Sequence, residues 1–467
     1  MKVITTIQAI CPQCYQVIQG HYIEKDGQVF LAKTCPVHGD FSTFIAPSIS
    51  EYLEWTSRPT VNIPPKAPRL IGADEETEGS QCPLHCGLCN NHLQTPCCVL
   101  IEITQRCNQH CPYCFACSEE DKEDPIETVL SLSVLDKKFD LLLELGEERP
   151  FNIQLSGGEP TLRDDLPEIL RLARSKGFPY LQINTNGKRL ANEQGYAHRL
   201  KDAGASVIFL QFDATNDKVY QELRGENLWE TKQKTIEACR EAGLPVTLVP
   251  TLVRSVNMDQ ISTMLEFLWD NLDIVAGIHF QPVSFFGRFP GDLRVQSEEN
   301  KVTLFELLNE IEVASKGKIL AKDLAPMNTG HTLCGFHGTF LRERDGEISL
   351  LKEPEESKSC CCSKEPLDTI TSDRGFVLNK WGGKGEKLNQ DTNFSKGSSG
   401  FDEFLGYARS NMFTISAMAF QDLMSLDGER LKRCRVHVLA QDDRIIPFCS
   451  YNTLYREEDL QKVRCLR

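Results

Sequence analysis

Three cysteines with the spacing CxxxCxxC lie on one short segment, CNQHCPYC, at residues 107 to 114. Thiolates spaced in this way can each bind one iron of a cubane 4Fe-4S cluster, and three protein ligands leave the fourth iron free to chelate a substrate. A structural zinc site is the alternative, but zinc usually takes four protein ligands from two paired clusters. We therefore predict that Cys107, Cys111 and Cys114 hold a catalytic iron-sulfur cluster.

A second motif, LSGGEPTL at residues 155 to 162, ends a predicted strand. Gly157 and Gly158 allow the backbone to approach a ligand closely, and Glu159 offers a carboxylate to a cationic amine. A Gly-Gly pair alone is more often only a turn. Because this pair follows the cysteine segment by a single strand-helix unit, the two motifs together indicate one ligand site.

Five further cysteines lie between residues 82 and 98, directly before these motifs. Cys82, Cys86 and Cys89 again have the spacing of cubane ligands, and Cys97 or Cys98 can supply a fourth thiolate. A fully ligated cluster suits electron transfer or structure, so we predict at least one auxiliary 4Fe-4S cluster here, with Cys98 as a ligand. Zinc remains an alternative, because four thiolates also suit a tetrahedral zinc ion.

The N-terminal region holds two short pairs of candidate metal ligands. The first pair, in CPQC, is Cys11 and Cys14, and the second is Cys35 with His38. Two such pairs about twenty residues apart are typical of a zinc-ribbon or rubredoxin-like unit that binds one metal ion, and the spacing does not distinguish zinc from iron. In the alternative interpretation, His38 is only a turn residue and another ligand lies elsewhere.

The C-terminal third contains three cysteines that are far apart in sequence, Cys334, Cys434 and Cys449. We group them as ligands of a further cluster, with one of the cysteines at 360 to 362 as the fourth ligand. Cys239 stands alone in a helical pattern and is predicted to be a small buried hydrophobic residue.

Short runs rich in β-branched residues alternate with helical patterns from residue 99 to about residue 284. Six strands in alternation with helices predict a parallel sheet, and six units are fewer than the eight of a closed barrel. We therefore predict an α/β fold with a partial (β/α)6 barrel, whose ligands lie at the C-terminal ends of the strands. The runs are VLIEIT (99–104), FNIQL (151–155), YLQIN (180–184), SVIFLQFD (206–213), PVTLVPTLV (245–253) and IVAGIHFQPV (274–283).

Two helices can be predicted in detail. Residues 133 to 146 read as an amphipathic helix with a capping box of Ser133 and Asp136 and an end at Gly146. Residues 302 to 316 form a second amphipathic pattern, and residues 382 to 400 have the composition of a mobile loop. The predicted parts of the chain are a metal-binding knuckle (1–58), a linker with the auxiliary-cluster segment (59–97), the barrel (98–300) and an α+β C-terminal domain (301–467).

The overall composition restricts the possible partners and location. The chain has 66 acidic and 51 basic residues, a net charge of -15, which disfavours binding to nucleic acid. No stretch approaches 18 consecutive apolar residues, so no transmembrane segment is predicted, and the first residues do not resemble a secretion signal. We therefore expect a cytoplasmic protein, in which closely spaced thiols indicate metal binding.

The two central motifs resemble those of the radical S-adenosylmethionine (SAM) superfamily, CxxxCxΦC and GGE. The match is carried by the three cysteines with Tyr113 and by residues 157 to 160. The resemblance implies that Tyr113 lies against the adenine and that Gly157, Gly158, Glu159 and Pro160 contact the methionine amino group. Polar residues at other strand ends are expected to complete the pocket, although Asn186 and Asp213 could equally cap the following helices. These residues are Asn184, Asn186, Gln211, Asp213 and Gln281.

The order of the motifs along the whole chain narrows this resemblance. The N-terminal CPxC and CPxHG pairs, CPxxCGLCxxH, IExTxxCNxxCPxCFA, HFQPVSFFGR (279–288) and HVLAQDDRIIPFCSYN (437–452) are similar to those of a subfamily that contains the pterin C-methylases and the tetraether lipid synthases. The subfamily implies a SAM-binding cluster, auxiliary clusters and a mononuclear zinc or iron site. It also implies a 5'-deoxyadenosyl radical that acts on an unactivated carbon, and an electron donor such as ferredoxin or flavodoxin.

Three functions are therefore open from the sequence. C-methylation of a small pterin-like substrate is favoured, and radical coupling of lipid alkyl chains is the alternative. An iron-sulfur electron carrier is a third possibility, but a carrier needs four ligands for each cluster and no carboxylate such as Glu159 beside it.

Overall fold

The computed structural model describes residues 2–66, 82–118, 130–146, 150–351 and 406–459. The N-terminal part is a four-stranded antiparallel sheet in the order β1-β2-β3-β4, followed by helix α1. One face of this sheet is buried, because inward residues such as Ala9, Leu31 and Ala46 alternate with exposed ones. The bounds are β1 (Lys2–Ile10), β2 (Val17–Lys25), β3 (Gln28–Cys35), β4 (Gly39–Ala46) and α1 (Ile49–Thr56).

The centre of the molecule is a large, mostly parallel sheet. Each of the six runs predicted as strands forms one, and the fifth is divided at Pro250 into β9 and β10. Their order in the sheet is β5-β6-β7-β8-β9-β11, with parallel pairing throughout. The bounds are β5 (Cys98–Thr104), β6 (Asn152–Gly157), β7 (Leu181–Thr185), β8 (Val207–Gln211), β9 (Val246–Val249), β10 (Thr251–Leu252) and β11 (Val275–Pro282). The predicted partial barrel is therefore confirmed.

Strands from the C-terminal region extend this same sheet at both edges. β14 pairs in parallel with β11, and β15 pairs in parallel with β5, so eight parallel strands lie side by side in the described chain. Antiparallel strands then close the edges, β12 and β13 beyond β14, and β16 beyond β15. The bounds are β12 (Gly335–Arg342), β13 (Ile348–Leu350), β14 (Met412–Met418), β15 (Val436–Leu439) and β16 (Ile445–Pro447). The predicted domain boundary at residue 300 stays a prediction.

The helices cover the outer face of the sheet. Outward residues of neighbouring strands, such as Ile153, Ile183 and Leu210, are fully buried in one large apolar core with the helices. The bounds are α2 (Leu132–Leu145), α3 (Leu166–Ser175), α4 (Lys188–Asn192), α5 (Tyr196–Asp202), α6 (Asp217–Arg224), α7 (Trp229–Ala242), α8 (Arg254–Asn257), α9 (Ile261–Asp270), α10 (Leu293–Glu299), α11 (Leu304–Ala314), α12 (Gly428–Lys432) and α13 (Phe448–Ser450), with a π-helical turn at Tyr451–Tyr455. None of the helices in the described ranges has the length and hydropathy needed to span a bilayer.

The predicted capping box of α2 is wrong, although Gly146 does end this helix. The N-cap is Ser131, and no side chain caps the helix, because the hydroxyl groups of Ser131 and Ser133 hydrogen-bond to each other at 3.0 Å. In α11 the capping box is instead formed by Thr303 and Glu306. The loop predicted at 382 to 400 lies outside the described residues.

The N-terminal sheet is docked on the segment between β14 and β15. Three side chains of the sheet donate hydrogen bonds to this segment: Tyr22 to the Asp427 carboxylate (2.9 Å), Lys33 to the Leu423 carbonyl (2.8 Å) and Thr43 to the Met424 carbonyl (3.0 Å). Tyr22, Lys33, Thr43 and Asp427 are all buried. The contact is therefore a polar but solvent-excluded interface within the chain.

Candidate active site

A cavity of about 370 Å³ opens between the C-terminal ends of the parallel strands and extends into the barrel. The two motifs singled out in the sequence lie on its wall, because one follows β5 and the other ends β6. Backbone hydrogen bonds join them: the Gly158 N–H donates to the Thr104 carbonyl (2.8 Å) and the Glu159 N–H donates to the Arg106 carbonyl (2.7 Å). The two motifs therefore lie side by side on the cavity wall.

The three cysteines of the first motif face the cavity. Burial, with a contribution from the Glu159 carboxylate, raises the pKa of the Cys107 thiol. Burial also raises the pKa of Cys111, against the opposing effect of the Arg224 guanidinium. Thiols in such surroundings ionise when a metal ion replaces the proton, which is typical of buried metal ligands.

The Gly-Gly-Glu turn requires its glycines. Gly157 has a φ of +124°, and a Cβ there would collide with the Thr104 carbonyl oxygen. A Cβ on Gly158 would collide in the same way with the Arg106 carbonyl oxygen. The glycines therefore serve the close approach of two backbone segments as well as the approach of a ligand.

Glu159 has a second role that the sequence did not reveal. One of its oxygens accepts hydrogen bonds from the Thr161 N–H (3.0 Å), the Thr161 hydroxyl (2.6 Å) and the Thr185 hydroxyl (2.7 Å). The other accepts one bond, from the Asn186 N–H (2.7 Å). The carboxylate thus ties the end of β6 to the end of β7, and its second oxygen has room for a donor in the cavity.

The residues predicted to complete the pocket differ in their contacts. Asn186 donates from its side chain to Asn108 of the cysteine segment (2.8 Å) and accepts from the Lys188 N–H (2.9 Å), so it links the segment to the start of α4. Asn184, Gln211 and Gln281 line the cavity. Their contacts with a cofactor stay a prediction.

Asp213 and Pro160 are not among the cavity-lining residues. The Asp213 carboxylate is fully buried and forms a bidentate ion pair with Arg224 (2.7 Å for each bond). Arg224 in turn donates to the carbonyl of Tyr113 (3.1 Å), so Asp213 positions the cysteine segment indirectly. Pro160 begins a short 3-10 turn behind Glu159.

The sequence reasoning missed the cations that hold the cysteine segment. Besides Arg224, Lys188 donates to the Asn108 carbonyl (2.8 Å). Arg288 donates to the Ser118 carbonyl (2.7 Å) and exchanges two backbone hydrogen bonds with Cys114 (2.8 and 2.9 Å). Arg288 is the last residue of the block HFQPVSFFGR. This block was the sequence signal that could have identified Arg288 as a residue of the site.

The N-terminal ligand pairs meet at one point. The Nδ1 atom of His38 lies 3.6 Å from the Cys11 sulfur and 3.5 Å from the Cys35 sulfur, and the sulfurs of Cys14 and Cys35 are 3.9 Å apart. A tetrahedral ion with Zn–S bonds near 2.3 Å separates its sulfur ligands by about 3.8 Å. Burial opposes ionisation of Cys35, but N–H groups of Val37 and His38 lower its pKa to about 6. These four residues fit a single metal ion.

This arrangement differs from that of the other thiols. Among the described residues, these four form the one group of three or more His, Cys, Asp or Glu side chains whose ligand atoms all lie within 4.8 Å of one another. The thiols of Cys107, Cys111 and Cys114 are more widely spread, as a cubane with one iron for each thiolate requires. Their number, burial and position on the cavity wall fit an iron-sulfur cluster with an open iron.

Two further sets of cysteines were predicted as cluster ligands. Cys82 and Cys86 share a hydrogen bond that lowers the pKa of Cys82, and the Cys86 sulfur also accepts from the Ser450 hydroxyl (3.1 Å). Cys98 lies at the start of β5 and lines the cavity, where its sulfur accepts from Gln154 Nε2 (3.3 Å). Its role as a fourth ligand stays a prediction.

The structure brings Cys334, Cys434 and Cys449 together on the cavity wall, although the sequence separates them widely. Burial raises the pKa of Cys449 to about 12 and also raises the pKa of Cys434, and the Cys334 thiol adds to both effects. Cys334 adjoins β12, at one edge of the sheet, while Cys434 and Cys449 adjoin β15 and β16 at the other. The cysteines at 360 to 362 lie outside the described residues.

This combination of a partial barrel, a three-cysteine segment after its first strand and a Gly-Gly-Glu turn after its second defines a radical SAM enzyme. Residues 101–268 match the model described as "Radical SAM superfamily", and residues 3–47 match the "HMPTM N-terminal zinc ribbon domain". The chain is 33% identical to the 7,8-dihydro-6-hydroxymethylpterin dimethyltransferase of Methanocaldococcus jannaschii, covering 97% of this chain and 94% of the relative. It therefore belongs to the family of that dimethyltransferase.

Two other similar proteins match less than half of the chain. A probable GTP 3',8-cyclase of Methanothermobacter thermautotrophicus is 32% identical over 36% of this chain and 52% of its own length. Among solved structures, Streptococcus suis SuiB is 18% identical, with a TM-score of 0.38, over 48% of this chain and 47% of its own.

Proposed function

We propose that this enzyme methylates carbon in a small pterin-like substrate that binds in the cavity. One observation supports this above all others: the relative named as a pterin dimethyltransferase aligns with 97% of the chain, not with the barrel alone. Residues 3–47 also match the HMPTM N-terminal zinc ribbon domain, so the similarity extends beyond the barrel.

Cys107, Cys111 and Cys114 would hold the SAM-binding 4Fe-4S cluster, and the free iron would bind SAM. When bound, the cluster would supply the electron that splits SAM into methionine and a 5'-deoxyadenosyl radical, which would take hydrogen from an unactivated carbon. The substrate would then need a second electron from the donor and the methyl group of a second SAM molecule, which would leave as S-adenosylhomocysteine. Tyr113 would contact the adenine, and Glu159 would accept a hydrogen bond from the methionine amino group through its less occupied oxygen.

The protein would contribute mainly by orientation and exclusion of water. Phe115, Phe286, Phe420 and Phe448 pack together beside the cysteine segment, and all four line the cavity. A reactive radical in this apolar surrounding is protected from side reactions with solvent. Arg224 and Arg288 would hold the cysteine segment in register while the cluster cycles between charge states.

The other sets of thiols would hold auxiliary clusters for electron transfer and one structural metal ion. We propose an auxiliary cluster on Cys82, Cys86 and Cys89 and a further one on Cys334, Cys434 and Cys449, with electrons from a ferredoxin- or flavodoxin-type donor. The N-terminal ion, zinc or iron, would be structural, because its four protein ligands leave no open position.

The inward face of the barrel favours a polar heterocycle over a lipid chain. Gln154 and Asn184 line the cavity, and an alkyl chain would leave the Gln154 Oε1 and Asn184 Nδ2 atoms on its wall without a hydrogen bond from the substrate. Coupling of lipid chains therefore has less support from the site than methylation of a heterocycle.

The test is anaerobic turnover of the reconstituted enzyme with SAM, a reductant and 7,8-dihydro-6-hydroxymethylpterin. We expect 5'-deoxyadenosine and a methylated pterin. The triple variant Cys107→Ala, Cys111→Ala, Cys114→Ala should lose both products, at least a thousandfold, and bind less iron while keeping the other metal sites.

The matched control is Cys117→Ala, an exposed cysteine three residues beyond the motif, which should keep full activity. Cleavage of SAM by the triple variant would contradict the cluster assignment. SAM cleavage by the natural enzyme with no pterin product, together with modification of an added lipid, would reverse the choice of substrate.

A further inference from the structure

The inward face of the parallel sheet is polar across neighbouring strands. In parallel barrels this face is normally packed with branched apolar side chains, and both faces of the strands are apolar. Here the outward residues are apolar, but the inward residues of β6, β7, β9, β11 and β14 include amides, hydroxyls and an imidazole. We call this set the inward polar layer: Asn152, Gln154, Gln182, Asn184, Thr247, His279 and Ser416.

The strand register makes this layer continuous. Gln154 pairs with Gln182 across β6 and β7, and Asn184 pairs with Phe209 of β8. Phe209 pairs with Thr247, and farther along the sheet His279 pairs with Ser416. Parallel strands lie about 4.8 Å apart, so these groups form one band around the wall.

Internal hydrogen bonds fix the direction of the amides in β7. The Tyr180 hydroxyl donates to Gln182 Oε1 (3.1 Å), and Gln182 Nε2 donates to Asn184 Oδ1 (2.6 Å). Tyr180 and Gln182 are completely buried, so this relay is shielded from water. The Asn184 Nδ2 group is thereby left as a hydrogen-bond donor on the cavity wall.

Gln154 presents the complementary group. Its Nε2 atom donates to the Cys98 sulfur (3.3 Å), which leaves its Oε1 atom as an acceptor. Gln154 lies one strand away from Asn184 and also lines the cavity. The register places their Cα atoms roughly 8 Å apart, given the spacing of strands and of residues along them.

His279 completes the layer as a neutral group. Its Nδ1 atom is 2.9 Å from the Ser416 hydroxyl, and its ring packs against Phe209 with 5.7 Å between centroids. Burial lowers the pKa of His279 to about 4, so the imidazole carries no charge near neutral pH. The layer therefore combines donors and acceptors without a net charge, beside an aromatic ring.

We propose that the inward polar layer is the subsite that recognises the substrate, through a donor from Asn184 and an acceptor from Gln154. This proposal assigns Asn184 to the substrate, in place of the cofactor contact that the sequence predicted for it. A flat nitrogen heterocycle with a ring carbonyl beside an amino group matches this pair, the carbonyl receiving Asn184 Nδ2 and the amino group donating to Gln154 Oε1. The inference rests on the proposed function and adds the residues that select the pterin edge.

The test is a fluorescence titration of the anaerobic holoenzyme with 7,8-dihydro-6-hydroxymethylpterin. Asn184→Leu and Gln154→Met keep the shape of each side chain and remove its hydrogen bonding. We expect each to weaken binding roughly tenfold, and the double variant roughly a hundredfold. Gln221→Met, a surface amide on α6, is the matched control and should bind as the natural protein does.

A second ligand separates recognition from damage to the fold. An analogue whose 2-amino group is replaced by oxygen should bind the natural enzyme about tenfold more weakly than the pterin. It should bind the Gln154→Met variant nearly as well as the pterin does, because the partner of the amino group is already gone. A merely misfolded variant would lose both ligands equally. Where Asn184→Leu does not fold, Tyr180→Phe disturbs the relay from behind, with an expected loss of about threefold.

The possible results are distinct. If the natural enzyme binds the pterin and the variants bind it equally well, the subsite is wrong and the proposed function stands. If the natural enzyme cleaves SAM but does not bind the pterin, the proposed function fails and the subsite fails with it.

Discussion

The N-terminal metal site and the cysteine segment of the barrel use the same ligand chemistry in opposite ways. In the first, two turns of an antiparallel sheet bring Cys11, Cys14, Cys35 and His38 within 4.8 Å of one another. In the second, three thiols spread along one loop on the wall of a cavity. The first arrangement offers four ligands to one ion, whereas the three thiols of the second would leave one iron of a cluster without a protein ligand.

The supports of the two sites differ as well. The ribbon site depends on its own sheet, whereas the cysteine segment is held by side chains from other elements, including Arg224, Lys188 and Arg288. The N-terminal site, with four ligands for one ion, therefore stabilises the sheet around it. The cysteine segment, with three ligands, instead depends on the surrounding structure for its stability. Substitutions of the metal ligands should therefore affect mainly stability at the first site and mainly chemistry at the second.

The largest expected effect follows from removal of the ribbon ion. The double variant Cys11→Ala, Cys35→Ala should lose one metal ion and about 5 kcal/mol or more of local stability, because binding energy at a structural zinc site is folding energy. Metal analysis and limited proteolysis would measure this. Thr34→Ala, beside Cys35 on an exposed position, is the control, and a fully metallated double variant would contradict the ligand assignment.

Glu159→Gln tests whether the open site depends on its surroundings. The variant turns an acceptor of four hydrogen bonds into a group with one acceptor oxygen, so a buried donor loses its partner. We expect a loss of about 3 kcal/mol in the free energy of unfolding and weaker SAM binding. Chemical denaturation and calorimetric titration would measure the two effects. The exposed Glu168→Gln should change neither, and a Glu159→Gln protein of full stability would contradict the structural role.

Tyr22→Phe tests the interface between the two regions. It removes a hydrogen bond to the buried Asp427 carboxylate, for an expected loss of about 1 to 2 kcal/mol without loss of SAM cleavage. Denaturant unfolding of this variant would be compared with that of Tyr15→Phe, an exposed tyrosine in the turn between β1 and β2. Equal stability of the two variants would show that the interface contributes little.

The smallest expected effect concerns the protonation of His279 in the inward polar layer. His279 has a pKa of about 4 in the folded protein, below the ordinary value of 6.5, because it is buried. The unfolded chain therefore binds a proton between these values that the folded chain does not, and stability falls as the pH decreases through this window. We expect about 1 kcal/mol less stability at pH 5.5 than at pH 7.5 from this group alone.

The measurement compares unfolding at both pH values in the natural protein and in His279→Gln, with His21→Gln on the surface as the control. The His279 variant should show the weaker pH dependence. An unchanged dependence would mean that this imidazole is protonated or solvated in the folded protein.

Local patterns determined the elements of the barrel. In runs with period 2, such as FNIQL and YLQIN, the apolar residues share one face only when the chain is a strand. Such runs made all six strands of the barrel predictable. The same runs already contain the alternation of Gln154, Gln182 and Asn184 with apolar residues. That alternation was the signal for the inward polar layer, although the sequence does not show which face lies inside.

The sequence by itself determined the ligand spacing of the cysteine motifs and the helix end at Gly146, because these depend on neighbours a few residues away. Only the tertiary structure decided the grouping of Cys334 with Cys434 and Cys449, the pairing of Asp213 with Arg224 and the extension of the sheet by β14 and β15. The grouped cysteines and the added strands join segments a hundred or more residues apart. The energies of these contacts, and of the Asp213–Arg224 pair, depend on burial and distance, which no local pattern encodes.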